Sequence, residues 1–242
     1  MKIMTWNINQ LLGNNNWEKL TQKEKEIFRN KYKEEVQKYI KDNYFEKDYD
    51  VIALQEFPYG SQKDYEDFIK DFKDERYEAF PPPNVSGIFT TIAFAKKDVW
   101  KRADKKFFFV NRVVIVEKAG CSIVCVHIPD LKRRPEAESL WKEIGAMSTH
   151  NINIIMGDFN TDYESTEQFK YFSKLEFEEL EGNASRKGEG MPPTCNEKTH
   201  VDYILINKQE RKNVYNYEID TKVEALRLSD HFPLYAEIDI CI

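Results

Sequence analysis

A chain of 242 residues is long enough for one large domain or two small ones. Apolar residues make up 41% of the sequence, enough for a substantial hydrophobic core, so intrinsic disorder is not the default expectation. The chain carries 36 Lys and Arg against 42 Asp and Glu, a net charge of −6. This balance argues against a protein that coats nucleic acid through bulk positive charge, but it allows local contacts with a few phosphates.

The first half of the chain predicts alternating strands and helices. Residues 2–8 are typical of a short strand, and residues 21–43 carry apolar side chains at helical spacing. "DYDVIALQE" predicts a buried strand that ends at Glu56, and a second helix is predicted from 63 to 72. "FPPPNVSG" at 80–87 predicts a loop.

The second half is dominated by strand-like runs. "IFTTIAFAKK", "KFFFVNRVVIVEK" and "CSIVCVHIP" predict three strands, the last two joined by a hairpin at "AG". "RPEAESLWKEIGAMSTH" and residues 164–177 predict helices on either side of the strand "INIIMGDFN". Residues 182–199 predict a mobile loop, and "HVDYILINK" and "HFPLYAEIDI" predict closing strands.

The chain contains no internal repeat and no linker long enough to separate two domains. We therefore predict a single domain over residues 1–242, of the α/β (α+β) class. The mixture of strands, hairpins and helices favours a four-layer sandwich: two mixed β-sheets packed face to face, with helices on the outside.

The four cysteines form neither a CxxC pair nor a Cys/His zinc spacing. Cys121 and Cys125 lie an even number of residues apart in a predicted strand, so both point to one face. We expect small core thiols in a reducing compartment rather than a disulfide. The N-terminus has no secretory pattern and no apolar run approaches the ~18 residues of a membrane span, so we expect a cytoplasmic protein.

Polar side chains repeatedly follow the apolar strand runs. They are Asn7, Glu56, His127, Asp158, Asn160, Asp230 and His231; Asp202 instead precedes the apolar run of "HVDYIL", where burial without a partner is unfavourable. If these strand ends share one rim, the like charges repel unless a cation or hydrogen bonds neutralise them. Oxygen-rich ligands favour a hard divalent cation such as Mg²⁺ or Mn²⁺ over Zn²⁺. A cation beside a paired histidine and acid supplies what phosphodiester hydrolysis needs: charge on the phosphate oxygens and orientation of the attacking water.

Each of these residues also has an ordinary structural explanation. "GDFN" is typical of a tight turn, Asn7 of a polar strand end and "SDH" of a helix N-cap. His127 alone is more often a hydrogen-bonded structural histidine than a ligand. The full set in order favours the functional interpretation.

The ordered motifs "TWNIN", "LQE", "H", "GDFN", "HVDYIL" and "SDHFPL" resemble the endonuclease/exonuclease/phosphatase superfamily. Its members include deoxyribonuclease I, exonuclease III-like apurinic endonucleases, neutral sphingomyelinase, poly(A) deadenylases and inositol-polyphosphate 5-phosphatases. The resemblance extends from Asn7 to Pro233, nearly the whole chain. A single motif is weak, whereas the motifs together in family order are specific.

The resemblance implies a role for each residue at the metal and at the closing histidine. Glu56 would be the principal metal ligand, with Asn7 beside it and Asp230 approaching from the far side. His231 would contact the scissile phosphate and take part in proton transfer. Asp202 would hold the ring of His231 in the required tautomer.

The same resemblance assigns the remaining catalytic side chains. Asp158 would orient or deprotonate the attacking water, and Asn160 would stabilise the developing charge. His127 corresponds to the phosphate-binding histidine of the deoxyribonuclease I and sphingomyelinase branches. Exonuclease III-like enzymes usually carry Asn or Gln there, so His127 disfavours an apurinic endonuclease.

Two departures from the family pattern bear on the substrate. His200 stands where many members have Arg, and Cys195 stands where an aromatic residue is common. Three basic residues are candidates for substrate contact: Arg112, Arg133 and Arg134.

We therefore expect a Mg²⁺-dependent phosphodiesterase, with Mn²⁺ as a substitute, that acts as a monomeric nuclease on DNA or RNA. One alternative is a phosphoesterase acting on a phospholipid headgroup or a soluble phosphoester, which the net negative charge motivates. A second alternative is a binding relative that has kept the pocket and lost the turnover.

Overall fold

The computed structural model describes most of the chain, and Arg133 and Arg134 lie outside the described residues. Most of the loops predicted at 80–87 and 182–199 also lie outside them. The described ranges are 1–58, 62–72, 74–81, 89–104, 111–130, 137–147, 152–161, 169–173, 176–180, 193–196 and 198–240.

The described ranges contain the following strands and α-helices. The strands are β1 (Lys2–Asn7), β2 (Val51–Pro58), β3 (Tyr77–Phe80), β4 (Phe89–Lys96), β5 (Lys101–Arg102), β6 (Val113–Lys118), β7 (Cys121–His127), β8 (Ile154–Asp158), β9 (Phe177–Glu179), β10 (Asp202–Asn207), β11 (Val214–Ile219) and β12 (Leu234–Ile238). The helices are α1 (Gln22–Ile40), α2 (Gln62–Asp71), α3 (Glu138–Gly145), α4 (Lys170–Ser173) and α5 (Val223–Leu228).

The strands form two six-stranded sheets. The first has the order β11-β12-β1-β2-β4-β3, and the second has the order β5-β6-β7-β8-β10-β9. Each contains one parallel pair, β1 with β2 and β7 with β8, among antiparallel pairs. The prediction of two mixed sheets is confirmed.

Alternation along the strands divides the apolar side chains among three buried layers. Ile3 and Val51 of the first sheet lie in one cluster with Val114 and Ile123 of the second, so the inner faces pack together. The neighbouring positions face outward and pack against α1, α2 and α5 on the first sheet and against α3 and α4 on the second. The four-layer sandwich predicted from the sequence is therefore confirmed, whereas the single-domain assignment stays a prediction.

Helix α1 begins where the sequence places its capping residue. Thr21 Oγ1 accepts a hydrogen bond from Glu24 N at 3.3 Å, and Thr21 N donates to Glu24 Oε2 at 2.8 Å, which forms a capping box. Val36 and Ile40 are fully buried against the first sheet. The helix continues into a π-helical turn at Lys41–Phe45, close to the predicted end at residue 43.

The prediction that Cys121 and Cys125 are small core thiols is confirmed. Cys121 and Cys125 are free and buried between the sheets.

Several short strands were not predicted from the sequence. Strand β11 was missed because it lies at a sheet edge and only Tyr217 along it is buried. The helix predicted over 164–177 is seen only as α4, because Phe177 already begins strand β9; residues 162–168 and 174–175 lie outside the described part.

None of the helices in the described ranges combines the length and the apolar composition that a membrane span requires.

The two parallel pairs determine where the polar strand ends lie. Asn7 at the end of β1 pairs with Gln55, the residue before Glu56 in β2, and His127 pairs with Asp158 at the ends of β7 and β8. Asp202 begins β10 opposite Asp158 because this pair is antiparallel. The sheet topology therefore brings these residues to a common rim.

Gly157 is required at this rim by its conformation and by its close approach to β7. Its φ is +146°, and an added Cβ would lie 1.9 Å from the carbonyl oxygen of Val126. Gly157→Ala should therefore lower the free energy of unfolding by about 3 kcal/mol or more, as measured by urea denaturation.

A suitable comparison is Gly120→Ala in the exposed β6–β7 hairpin, where φ is +70°. This change should cost about 1 kcal/mol, because it adds backbone strain in a solvent-exposed turn. Equal losses for the two variants would contradict the steric role of Gly157.

Candidate active site

Asp158 lies at the centre of the polar residues gathered at the rim, and its side chain is fully buried. Its Oδ2 accepts hydrogen bonds from Asn7 Nδ2 at 2.8 Å and from Asn160 Nδ2 at 3.1 Å, and its Oδ1 accepts one from Asn160 N at 2.8 Å. The bond from Asn7 joins the two sheets at the rim. Burial, and then the negative charge of Asp202, raise the pKa of Asp158 to about 7.

The turn that follows Asp158 also serves this site. Asn160 has a φ of +49°, a left-handed conformation that Asn tolerates better than most residues. Its side-chain amide also donates to the carbonyl oxygen of Ile128 at 3.1 Å. "GDFN" is therefore both a tight turn and the support for a buried carboxylate.

His231 and Asp202 form a buried pair in which Nδ1 of the imidazole donates to Oδ2 of the carboxylate at 2.8 Å. The backbone of His231 is held as well, because its N–H donates to Ser229 Oγ at 3.1 Å and its carbonyl accepts from Trp6 Nε1 at 2.9 Å. Ser229 Oγ donates in turn to the carbonyl of Asn7 at 2.7 Å. Burial alone would lower the pKa of His231, but the charge and hydrogen bond of Asp202 raise it well above its ordinary value.

Glu56 reaches the rim through an irregularity in β2. The register of β2 against β4 shifts between Leu54 and Phe57, and Glu56 has a φ of +51°. Its Oε1 lies 3.7 Å from Nε2 of His127. Burial is the main cause that raises the pKa of Glu56, and the nearby charge of Asp230 adds to it.

His127 lies between carboxylates on one side and Arg112 on the other. Its Nε2 is 3.7 Å from both Glu56 Oε1 and Asp158 Oδ2, and the guanidinium of Arg112 contacts its Nδ1. Burial and the charge of Arg112 lower the pKa of His127 well below its ordinary value, so the ring is neutral. Arg112 is buried behind this ring, so its position favours orientation of His127 over the predicted contact with substrate.

Asp230 lies near Nε2 of His231, on the opposite side of the imidazole from Asp202. Its Oδ1 is 4.0 Å from Nε2 of His231. This oxygen is shielded from solvent and has no hydrogen-bond partner among the described residues. Burial raises the pKa of Asp230.

The chemistry of the donor set fits a hard divalent cation. Ligand atoms of Glu56, His127 and Asp158 lie within 4.8 Å of one another, and two of these three groups are carboxylates. A cation placed among them would stabilise the charged forms of Glu56 and Asp158, whose pKa values are raised by burial. Asn7 is adjacent to these groups through its hydrogen bond to Asp158. Its Oδ1, the atom that would bind a cation, accepts a hydrogen bond from Asn9 N at 2.9 Å.

Two residues that support Glu56, Gln10 and Arg29, were not identified from the sequence. Gln10 is buried, has a φ of +54° and donates through Nε2 to Glu56 Oε2 at 3.4 Å. Arg29 of α1 donates to Gln10 Oε1 at 3.0 Å. Three consecutive left-handed residues, Asn9 to Leu11, place Gln10 there, and such a turn has no clear sequence pattern without glycine.

A family comparison agrees with this geometry. The chain matches the Endonuclease/Exonuclease/phosphatase family over residues 4–231. The protein belongs to this family. Membership supports its assignment as a phosphoester hydrolase. A comparison with curated proteins gives no match.

Solved structures with the same fold include three that share low sequence identity with this chain. An AP endonuclease from Archaeoglobus fulgidus superposes with a TM-score of 0.70 at 15% identity. The 3′ phosphatase NExo from Neisseria bound to product DNA hairpin and the 3′-5′ exonuclease NExo from Neisseria meningitidis have TM-scores of 0.66 and 0.64, each at 17% identity. Each comparison covers 99% of this chain and 100% of the other, so the likeness establishes a shared fold.

The contact between His231 and Asp202 predicts how the pKa of His231 changes when Asp202 is replaced in the metal-free protein. Asp202→Asn removes the charge that raises the pKa of His231, so this pKa should fall markedly, as measured by NMR titration of the imidazole in the presence of EDTA. An unchanged pKa would contradict the pairing.

The sign of the effect on stability follows from linkage. Folding raises the pKa of His231, so the protonated ring stabilises the fold fully below its ordinary pKa of about 6.5. That contribution is lost as the pH rises through the higher pKa of the folded state. The stability lost on Asp202→Asn should therefore be larger at low pH than above the folded-state pKa.

Proposed function

We propose that the protein is a divalent-metal-dependent phosphodiesterase that cleaves nucleic acid, with Mg²⁺ as the cation and Mn²⁺ as a substitute. The observation that carries the proposal is the position of Asp158. It belongs at once to the group with Glu56 and His127 and to the group with Asp202 and His231. The proposed cation site and the proposed proton-transfer pair thus both adjoin this one buried carboxylate.

Three residues are proposed to hold the cation: Glu56 as the principal ligand, with Asn7 and Asp230 beside it. When bound, the cation supplies positive charge to the phosphate oxygens and lowers the pKa of bound water. The low dielectric of the buried rim strengthens these interactions. Gln10 orients Glu56 from behind.

The proton transfers are assigned to Asp158 and His231. Asp158 accepts a proton from the attacking water, because its carboxylate lies at the rim and is held in place by Asn7 and Asn160. His231 is protonated because of Asp202, and its Nε2, on the opposite side of the ring from that carboxylate, is proposed to contact the phosphate. Its charge stabilises the non-bridging oxygens, and its proton can pass to the leaving group.

The amide of Asn160 and the neutral ring of His127 are proposed to contact the phosphate. Asn160 is held by Asp158 and Ile128 and has an amide hydrogen-bond donor at the rim. His127 is fixed by Arg112 from behind. Arg133 and Arg134 stay candidates for contact with the flanking backbone of the substrate.

Nucleic acid is favoured as the substrate because the structurally similar proteins include an AP endonuclease and an enzyme bound to product DNA hairpin. The free, buried thiols at Cys121, Cys125 and Cys195 support a reducing, cytoplasmic environment. A monomer is the proposed state.

The test is incubation of the purified protein with supercoiled plasmid and with single-stranded DNA and RNA oligonucleotides in Mg²⁺. Cleavage should stop when EDTA removes the metal. His231→Ala and the nearly isosteric Asp158→Asn should each lower the rate by about 10²–10⁴-fold, because each removes a proton-transfer group.

The matched control is Asp239→Asn, which makes the same carboxylate-to-amide change at an exposed position just beyond strand β12. Asp239 lies near the start of β1, at the opposite end from the rim, so this variant should keep full activity. Sphingomyelin and inositol phosphates belong in the same substrate panel. Metal-dependent hydrolysis of these compounds without cleavage of nucleic acid would overturn the nuclease assignment and keep the chemistry.

A further inference from the structure

Cys195 is held beside the imidazole of His231 by backbone pairing. The two residues are partners in an isolated antiparallel bridge. Phe232 N donates to the carbonyl of Thr194 at 2.8 Å, and Asn196 N donates to the carbonyl of Asp230 at 2.7 Å. The short segment around Cys195 is therefore fixed against the segment that carries Asp230 and His231.

The side chains of these residues bring three different metal-binding atoms together. Cys195 Sγ lies 3.3 Å from His231 Nε2, and Asp230 Oδ1 lies 4.0 Å from the same nitrogen. All three ligand atoms lie within 4.8 Å of one another. In a tetrahedral site with Zn–S at about 2.3 Å and Zn–N at about 2.0 Å, the sulfur and nitrogen are about 3.5 Å apart. Small side-chain movements would complete this geometry.

The surroundings of the three atoms match those of a metal site. Asp202 accepts from Nδ1 of His231 at 2.8 Å, an arrangement that leaves Nε2 as the ligand atom and is common behind zinc-bound histidines. Asn196 Nδ2 donates to Cys195 Sγ at 3.2 Å and can stabilise a thiolate. Asp230 Oδ1 is shielded from solvent without a hydrogen-bond partner in the described part of the chain.

A simple hydrogen bond between Cys195 and His231 would explain their contact and nothing more. It would leave Asp230 Oδ1 without a hydrogen-bond partner among the described residues, with only the imidazole ring 4.0 Å away to offset its burial. A cation that binds all three residues satisfies this oxygen as well. A thiolate and an imidazole together select a softer ion than Mg²⁺.

We propose that Cys195, Asp230 and His231 form a second cation site, for a soft divalent ion of the Zn²⁺ or Cd²⁺ class, that switches the enzyme off. Binding forms a metal–sulfur bond and a metal–nitrogen bond, and it releases both the thiol proton of Cys195 and the Nε2 proton of His231 to solvent. The ion takes Nε2 of His231 and the carboxylate of Asp230, so both are withdrawn from phosphate hydrolysis. The binding site stands independently of the proposed function, and only its inhibitory effect rests on that function.

The binding test uses the full chain, freed of metal and titrated with Cd²⁺. Coordination by Cys195 should produce an ultraviolet thiolate-to-Cd²⁺ charge-transfer band that saturates at one equivalent. Cys195→Ser should abolish the band, and Cys121→Ser, which removes a free thiol buried between the two sheets, should keep it. Asp230→Asn should keep the band but weaken the affinity at least about tenfold, because one ligand is lost.

Inhibition is measured separately, as hydrolysis in excess Mg²⁺ with increasing Zn²⁺ or Cd²⁺. Cys195→Ser should need at least about tenfold more of the soft ion for half-inhibition than the wild type.

The proposed site is contradicted if the Cd²⁺ titration of the wild type gives no charge-transfer band, or if Cys195→Ser gives the same band. Circular dichroism confirms folding of each variant, and Asp230→Asn provides a second readout should Cys195→Ser fail to fold. A protein without hydrolase activity would still give the band, so failure of the proposed function is distinguishable.

Discussion

Burial of several carboxylates at one rim is the constraint on which the rest of the site depends. Asp158 and Asp202 lie opposite each other on neighbouring strands with almost no solvent exposure. Two such charges repel in a low dielectric, and removal from water is unfavourable for each. Hydrogen bonds from Asn7 and Asn160 compensate Asp158, and the protonated ring of His231 compensates Asp202.

The backbone around the site is also unusual. Glu56, Asn160 and the turn at residues 9–11 all have left-handed conformations without glycine. Such residues persist only where the surrounding structure holds them, and they commonly gather at functional sites. Here the core packs both sheets together, and the left-handed residues lie at the rim. Cys195 Sγ and Asp230 Oδ1 both lie near Nε2 of His231, so the proposed hydrolysis and the proposed soft-ion site would compete for this nitrogen.

Much of the fold followed from short-range patterns. Buried strands such as β2, β7 and β8 are long apolar runs, and α1 has a capping box, so the residues themselves specify these elements. Edge strands were missed, because β11 buries little and receives its structure from β12. The polar residues of the rim could be selected because each follows an apolar run or belongs to a family motif.

The sequence by itself determined the two-sheet architecture and the identity of the polar residues at the strand ends, since both arise from local periodicity and motif order. Only the tertiary structure decided which side chains meet. Arg112 lies behind His127, Gln10 supports Glu56, and Cys195 lies against His231, although 36 residues separate the last two. Contacts between distant segments depend on sheet register and on left-handed turns, and neither leaves a local pattern in the chain.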